Sequence, residues 1–266
     1  MPNRRNMFFF YRKDEKIVDQ VKILQNLANQ YEFTVVNNPD IANIIVSIGD
    51  DGTFLQAVRK TNFRDDCLYV GISTSGSLSL YCDFNIDDTD SMINAILNEQ
   101  IEVRRYPTIE VSVDDRASFL CLNECSIQTP IIKTFVMDVF IDDFHFETFR
   151  GDGMIVSTPT GSTAYNKSVN GAVVDPLLPC YQVSEIASLN NNKYRTLGSP
   201  FILGGDRKLT LKVVQDGNDF PTIGMDNEAV SIRHVENINI KLANKQIKTV
   251  KLKDNSFWEK VKRTFL

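Results

Sequence analysis

The stretch Ile44-Ile45-Val46-Ser47-Ile48-Gly49-Asp50-Asp51-Gly52-Thr53-Phe54-Leu55-Gln56-Ala57-Val58-Arg59 decides how this chain is read. A short apolar run closed by glycine reads as a buried strand, and the amphipathic residues from Phe54 onward read as a helix. The turn between them therefore lies at the carboxyl end of a strand, where open α/β sheets bind their ligands. Gly49 and Gly52 let the backbone approach a bulky anion, and the first N–H groups of the helix, at Thr53 and its neighbours, point outward to donate to phosphate. Asp50 and Asp51 stand against that reading. Two adjacent carboxylates repel phosphate oxygens unless they bind a metal, hold a hydroxyl or take a proton. The plainer alternative is an ordinary Asp-Gly turn with a helix cap at Thr53.

Outward from the turn, Met7–Tyr11 reads as a strand, and Asp14–Tyr31 as a helix with Ile17, Val21, Leu24, Ala28 and Tyr31 on one face. Phe33–Val36 and Leu68–Ile72 are further strands, with a turn at Pro39-Asp40. Such alternation is the pattern of a parallel sheet with helices on both faces. Thr74–Tyr81 is a loop of small residues, either a ligand contact or plain surface. Ile86-Asp87-Asp88 opens another helix through Leu97, its acidic residues at the end that the helix dipole favours.

From Ile101 the texture changes. Arg104–Val113, Ala117–Leu122, Phe135–Ile141, Phe144–Phe149, Leu209–Val214, Val230–Val235 and Ile247–Leu252 are short β-rich runs divided by turn residues, which suggests a β-sandwich. The expected organisation is an α/β domain over 1–100, an all-β domain over 101–252, and a C-terminal aromatic amphipathic helix over 253–266 that docks on the body. One segment stands out in the β half: a strand at 154–157 runs into a turn rich in hydroxyls and then into a helix opened by Gly161-Ser162-Thr163. Its N–H and hydroxyl groups make a second anion-friendly site, or a mere Ser/Thr cap.

Composition narrows the chemistry. Of 266 residues, 42% are aliphatic or aromatic and 24% charged, the profile of a globular enzyme. No run approaches the roughly 18–20 apolar residues that span a membrane. The basic start precedes an apolar run too short for a signal peptide, so a cytoplasmic protein is expected. The five cysteines, Cys67, Cys82, Cys121, Cys125 and Cys180, are scattered and form no CxxC pair, which fits structural thiols. With only His145 and His234, a His-rich metal site is excluded and a Ser-His-Asp apparatus disfavoured. A net charge of −5 argues against a nucleic-acid partner but leaves room for a small phosphorylated ligand.

Three separated blocks carry a resemblance to the bacterial NAD kinases over nearly the whole chain. Gly49-Asp50-Asp51-Gly52-Thr53-Phe54-Leu55 is similar to the family's Gly-Gly-Asp-Gly-Thr, and Leu122-Asn123-Glu124 to its Asn-Glu pair. Arg150-Gly151-Asp152-Gly153, running on through Ser157-Thr158-Pro159-Thr160-Gly161-Ser162-Thr163-Ala164-Tyr165-Asn166-Lys167, nearly repeats the family's text. A lone Gly-Asp-Gly-Thr occurs in phosphofructokinases and diacylglycerol kinases too; the third block, at its distance after Asn-Glu, is the specific one.

The resemblance implies a Rossmann-like N-terminal domain and a β-sandwich C-terminal domain. It implies transfer of the terminal phosphate of ATP, or of polyphosphate, to the 2′-hydroxyl of the adenosine ribose of NAD, giving NADP. Mg²⁺ dependence and a homo-oligomer, usually a tetramer, come with it. It assigns Asp51 as the catalytic base and puts NAD against Gly52, Tyr81, Asn123, Glu124, Asp152, Thr163, Ala164, Tyr165 and Asp226. The donor's phosphates fall to Gly49, Gly52, Thr53, Arg150, Thr160 and Ser162, with no protein metal ligand assigned. Asp50 departs from the family by replacing its second glycine, and Ser79-Leu80 replaces an expected Gly-Phe. Two rivals remain, a lipid or diacylglycerol-type kinase on the same Gly-Asp-Gly core and a catalytically weak NADP-binding regulator in which Asp50 obstructs the phosphate.

Overall fold

The computed structural model describes residues 5–12, 15–76, 79–130, 133–215 and 221–266. Met1–Arg4, Asp14 of the first expected helix, and Ser77 and Leu78 of the small-residue loop lie outside the described residues. The chain divides into two compact units, Met1–Tyr106 with Lys245–Leu266, and Pro107–Asn244.

The first unit alternates strands and helices: β1 (Asn6–Tyr11), α1 (Glu15–Gln30), β2 (Thr34–Val35), β3 (Ile44–Ile48), α2 (Asp51–Lys60), β4 (Leu68–Ser73), β5 (Cys82–Asn85), α3 (Thr89–Leu97) and the start of β6 (Ile101–Val113). The pairs β1–β2, β1–β3, β3–β4 and β4–β5 are all parallel. This is the Rossmann-like α/β arrangement, and it explains why β3 is a nearly unbroken apolar run: parallel strands are covered on both faces. Phe9, Val21, Leu24, Val46, Ile48, Ile72 and Phe84 form its core, each large side chain contributing about 1.5–3 kcal/mol by burial. The helix expected from Ile86 begins at Thr89. Asp88 is its cap, accepting from the Ser91 N–H at 3.2 Å.

The second unit takes the rest of β6, then β7 (Ala117–Cys121), β8 (Glu124–Gln128), β9 (Phe135–Ile141), β10 (Phe144–Gly151), β11 (Gly153–Ser157), α4 (Tyr165–Ser168), β12 (Cys180–Ile186), β13 (Phe201–Gly204), β14 (Lys208–Val213), β15 (Thr222–Met225), β16 (Glu228–Ser231) and the first part of β17 (Asn237–Leu252). One sheet runs β13-β12-β11-β8-β15-β16; facing it are β10-β9-β14-β17 and the β6–β7 pair. Ile109, Phe135, Met137, Leu209 and Ile238 from one sheet share a core with Cys125, Met154, Val156, Tyr181 and Ile223 from the other. That shared core makes the unit a β-sandwich.

The chain passes between units inside β6, after Tyr106, and inside β17, after Asn244. The change of texture at Ile101 thus marks the start of a long strand and not the edge of a unit. Lys245–Leu266 returns to the first unit, bringing the last helix, α5 (Phe257–Phe265), with it. Ser256 and Glu259 close a reciprocal capping box at its start. The strand expected over Val230–Val235 occupies Glu228–Ser231 instead, and His234 at φ +54° has left the extended conformation. All five cysteines are buried and held in no disulfide. Among the described residues no helix is long and apolar enough to cross a membrane.

Candidate functional site

Asp50 is the N-cap of α2. Its Oδ1 accepts from the Thr53 N–H and from Thr53 Oγ1, both at 2.7 Å. The cap expected at Thr53 is instead Asp50: the carboxylate caps, and Thr53 is the third residue of the helix. Thr53's hydroxyl, more than its N–H, holds Asp50 below the ordinary carboxylate range. Both polar groups of Thr53 are committed to this cap, and the Gly49 N–H donates to Ile72 O at 2.9 Å. Gly49 needs to be glycine, since at φ +149° a Cβ would lie 2.5 Å from Thr53 Oγ1.

Asp51, the first residue of α2, turns to the segment that follows β4. Its Oδ1 accepts from Ser79 Oγ at 2.5 Å and from the Tyr81 N–H at 2.8 Å; its Oδ2 accepts from the Leu80 N–H at 3.1 Å. A carboxylate offers about four acceptor sites. These three bonds fix the group and leave one site, on Oδ2, for a further donor. The ring of Tyr81 is 1% exposed, stacked on Phe54 at 4.7 Å. Tyr81 thus serves Asp51 through its backbone and presents no ring to a ligand, which departs from the expectation that it packs against NAD.

Asn123, Glu124, Thr158, Thr160 and Asp226 come together in the sandwich. Asp226 accepts from the backbone N–H groups of Leu122, Asn123 and Glu124 at 3.1, 2.7 and 3.2 Å. From the other side, Thr158 Oγ1 and Thr160 Oγ1 donate to Leu122 O at 2.6 and 3.1 Å, and the Thr158 N–H to Asn123 O at 2.8 Å. Glu124 is buried, and one of its oxygens, Oε2, is buried with no hydrogen-bond partner among the described residues. Burial, reinforced by the charge of Asp226, pushes its carboxyl up to about 8.

The hydroxyl-rich turn leads into only a short helical stretch. Thr160–Thr163 is a 3-10 turn followed by the four residues of α4. Thr160 and Ser162 are fully buried, and Ser162 Oγ donates to Pro159 O at 2.6 Å while accepting from the Val174 N–H at 2.9 Å. Their hydroxyls are tied to the main chain, so they build the turn and are not displayed to a phosphate. Gly161 packs directly on Asn123, whose carbonyl oxygen would lie 2.1 Å from an added Cβ. Thr163 and Ala164 are half-buried, and Tyr165 is exposed, its hydroxyl accepting from Gln128 Nε2 at 3.3 Å.

Two further expected residues stand apart from this cluster. Asp152 is exposed between Gly151 and Gly153, with its N–H donating to Ile186 O at 2.9 Å. Arg150 lays its guanidinium over the Tyr194 ring, 4.3 Å from the centroid, a cation–π contact that employs it structurally. The sequence reading missed Lys251, Lys260 and Asp83, buried beside the Asp51 segment. Their signal was present: Lys251 follows Ile247 and Thr249 on the inward side of β17, and Lys260 follows Phe257 by three residues on the buried side of α5.

Comparison with known proteins bears on these clusters together. The ATP-NAD kinase C-terminal domain family matches residues 122–252. The chain is 71% identical over 263 residues to NAD kinase 2 of Bacillus subtilis (strain 168), covering 99% of this chain and 98% of that one. It is 64% identical over 267 residues to NAD kinase 2 of Bacillus anthracis, with 100% of each chain covered. Among solved structures, the fold is similar to a yeast NADH kinase complexed with NADH, at a TM-score of 0.76 and 18% identity over 98% of this chain and 87% of that one. An NAD kinase from Archaeoglobus fulgidus in complex with ATP gives 0.74 and 23%, over 98% and 97%.

Proposed function

Since this chain belongs to the NAD kinase family, we infer that it moves the terminal phosphate of ATP to the 2′-hydroxyl of the adenosine ribose of NAD, with Asp51 as the general base. The single observation that carries the base assignment is the cradle around Asp51. Three donors hold both oxygens, and the remaining acceptor site on Oδ2 can take the hydrogen bond of a ribose hydroxyl. Phosphoryl transfer asks for positioning and charge neutralisation more than covalent chemistry. A carboxylate that relieves the attacking hydroxyl of its proton is worth roughly 10²- to 10⁴-fold.

Asn123, Glu124 and Asp226 make the dinucleotide end of the reading. Asp226 pins the turn, which sets the position of the Asn123 side chain. Glu124, kept neutral at pH 7, presents a carboxylic acid able to donate as well as accept. Thr163, Ala164 and Tyr165 offer the adenine and its ribose a half-buried surface and an exposed ring. Asp152, exposed on its glycine-flanked turn, is free to meet the nicotinamide end. Thr160, Ser162 and Arg150 enter this reading as scaffold.

Mg²⁺ belongs to the same reading. Among the described residues no group of three or more His, Cys, Asp or Glu is placed to hold a metal ion. Of the turn carboxylates, Asp50 has one oxygen committed to its cap, and the one acceptor site left on Asp51 falls to the ribose hydroxyl in this reading. The residues thus fit an ion that arrives on the donor, with at most Asp50 Oδ2 touching it. When bound, it would neutralise charge on the transferring phosphate. Polyphosphate as an alternative donor and a homotetramer are supported by the resemblance alone, and a cytoplasmic location by the short apolar run near the start of the chain.

The test is direct: purified protein is incubated with NAD, ATP and Mg²⁺, and NADP is read with an NADP-specific dehydrogenase. Asp51→Asn should keep NAD affinity and lose at least about a hundredfold in kcat. Near-normal turnover in that variant would remove Asp51 from the role. Binding of NADP without any turnover of the native protein would favour a silent regulator, and phosphorylation of a lipid alcohol in place of NAD a lipid kinase.

A further inference from the structure

Two lysines lie in the interior of the first unit around one carboxylate. Lys251 is fully buried and Lys260 is 2% exposed. Lys251 Nζ donates to Asp83 Oδ1 at 3.3 Å, and Lys260 Nζ donates to the same oxygen. Asp83 Oδ2 is taken by the Leu252 N–H at 2.9 Å. Burying charge is costly unless it is paired and bonded. Here two lysine amines meet a single carboxylate, so when both are protonated one positive charge is uncompensated within the trio.

The remaining partners of the lysines show where that charge is directed. Both donate to Leu80 O at 3.0 Å, and Lys251 also to Tyr81 O at 2.7 Å. Leu80 O and the Tyr81 N–H belong to one peptide group. That peptide therefore receives two ammonium hydrogen bonds at its oxygen and gives its N–H to Asp51 Oδ1 at 2.8 Å. Hydrogen bonds in series polarise one another, and withdrawal at the carbonyl makes the N–H a stronger donor.

We propose that Lys251 and Lys260 are positioning residues for phosphoryl transfer, acting on Asp51 through the Leu80–Tyr81 peptide. Lys260 is carried by α5, so the last helix of the chain is wired to the base. The proposal rests on the reading of Asp51 as the base. It also accounts for a cluster that is hard to understand as plain structure, since burial, followed by the charge of Lys251, pulls Lys260 down to about 7. An apolar side chain of similar length would fill the same space without that cost.

The test is a double-mutant cycle read in kcat and in the KM for NAD. Lys260→Met should lower kcat about tenfold, within the range that members of one network exert on each other, with the KM for NAD changed by less than about twofold. In the Asp51→Asn background the same substitution should lower kcat no further. Lys260→Gln, which keeps a donor but loses the charge, should behave alike and stands in if the methionine variant fails to melt cooperatively. An undiminished fall of kcat in the Asp51→Asn background, or no fall with Asp51 present, would overturn the positioning role. Full turnover of Asp51→Asn by itself would overturn the base reading, and is seen in a different corner of the cycle.

Discussion

Asp226 accepts the Asn123 N–H at 2.7 Å, across 103 residues of sequence, and does so from a left-handed backbone at φ +52°. Because the same carboxylate also takes the N–H groups of Leu122 and Glu124, it acts as an anion bound in a nest of main-chain donors. Asp226→Asn tolerates the backbone conformation but replaces a charged acceptor with a neutral one, and turns an –NH₂ toward N–H groups. The expected outcome is a loss of about 1–3 kcal/mol in denaturant unfolding, with a raised KM for NAD. Unchanged stability would show that the turn holds its shape without the carboxylate.

Glu124 gives a pH dependence with a definite sign. Its folded-state value of about 8 lies above the ordinary 4.5, so between those limits the folded protein keeps a proton that the unfolded chain releases. The contribution is fully present below about 4.5 and is lost as pH rises through about 8. Glu124→Gln fixes the neutral form and should flatten this slope. Melting temperatures from pH 5 to 9 should show the variant gaining on the native protein toward the alkaline end. Burial also raises Glu147, to about 7, which tilts both proteins alike and drops out of the difference. Parallel curves would mean that Glu124 ionises in place without penalty.

Asp50 invites a comparison of two substitutions. Removing a capping side chain costs about 1 kcal/mol when alanine replaces it and only a few tenths for glycine. Asp50→Ala should therefore lower stability more than Asp50→Gly. Both free the Thr53 N–H and remove a negative charge from the phosphate turn. Turnover of Asp50→Gly should be equal to or above that of the native protein. A collapse of its kcat would instead assign the carboxylate to the metal-bound donor.

What could be read from the sequence follows physical lines. β3, the turn and α2 were legible because an apolar run, two glycines and an amphipathic stretch each leave a local mark. β8 and β12 were not, since Glu124 and Ser126 in one and Gln182 and Ser184 in the other are polar residues that are nonetheless buried, so neither strand shows the apolar run of a strand covered on both faces. The same burial hid the chemistry of the site. At 158–163 a run of hydroxyls looks like a helix start, but whether a hydroxyl faces a ligand or a carbonyl depends on Leu122 and Val174, which sequence distance does not disclose. Lys251 and Lys260 fall in phase with the buried side of β17 and α5, yet a lysine is read as solvated until a carboxylate such as Asp83 is found beside it.

Gly161 supplies the sharpest steric test. Nothing about its φ demands glycine, so alanine is conformationally acceptable there; the obstacle is the Asn123 main chain, with O, C and Cα at 2.1, 2.4 and 2.7 Å from the added Cβ. These are backbone atoms, held by Asp226 on one side and Thr158 on the other, and cannot swing away as a side-chain tip would. Gly161→Ala must push the 160–163 turn off the Leu122–Glu124 segment, breaking the Thr160 bond to Leu122 O. Overpacking of this kind costs about 1–3 kcal/mol, and the displaced turn should weaken NAD binding as well as the fold. Calorimetric titration with NAD should show at least about a tenfold loss of affinity, the equivalent of about 1.4 kcal/mol. A melting curve lowered by only a few degrees would then attribute that loss to local displacement. Native affinity in Gly161→Ala would mean that the close packing of this glycine on Asn123 is not needed to shape the dinucleotide site.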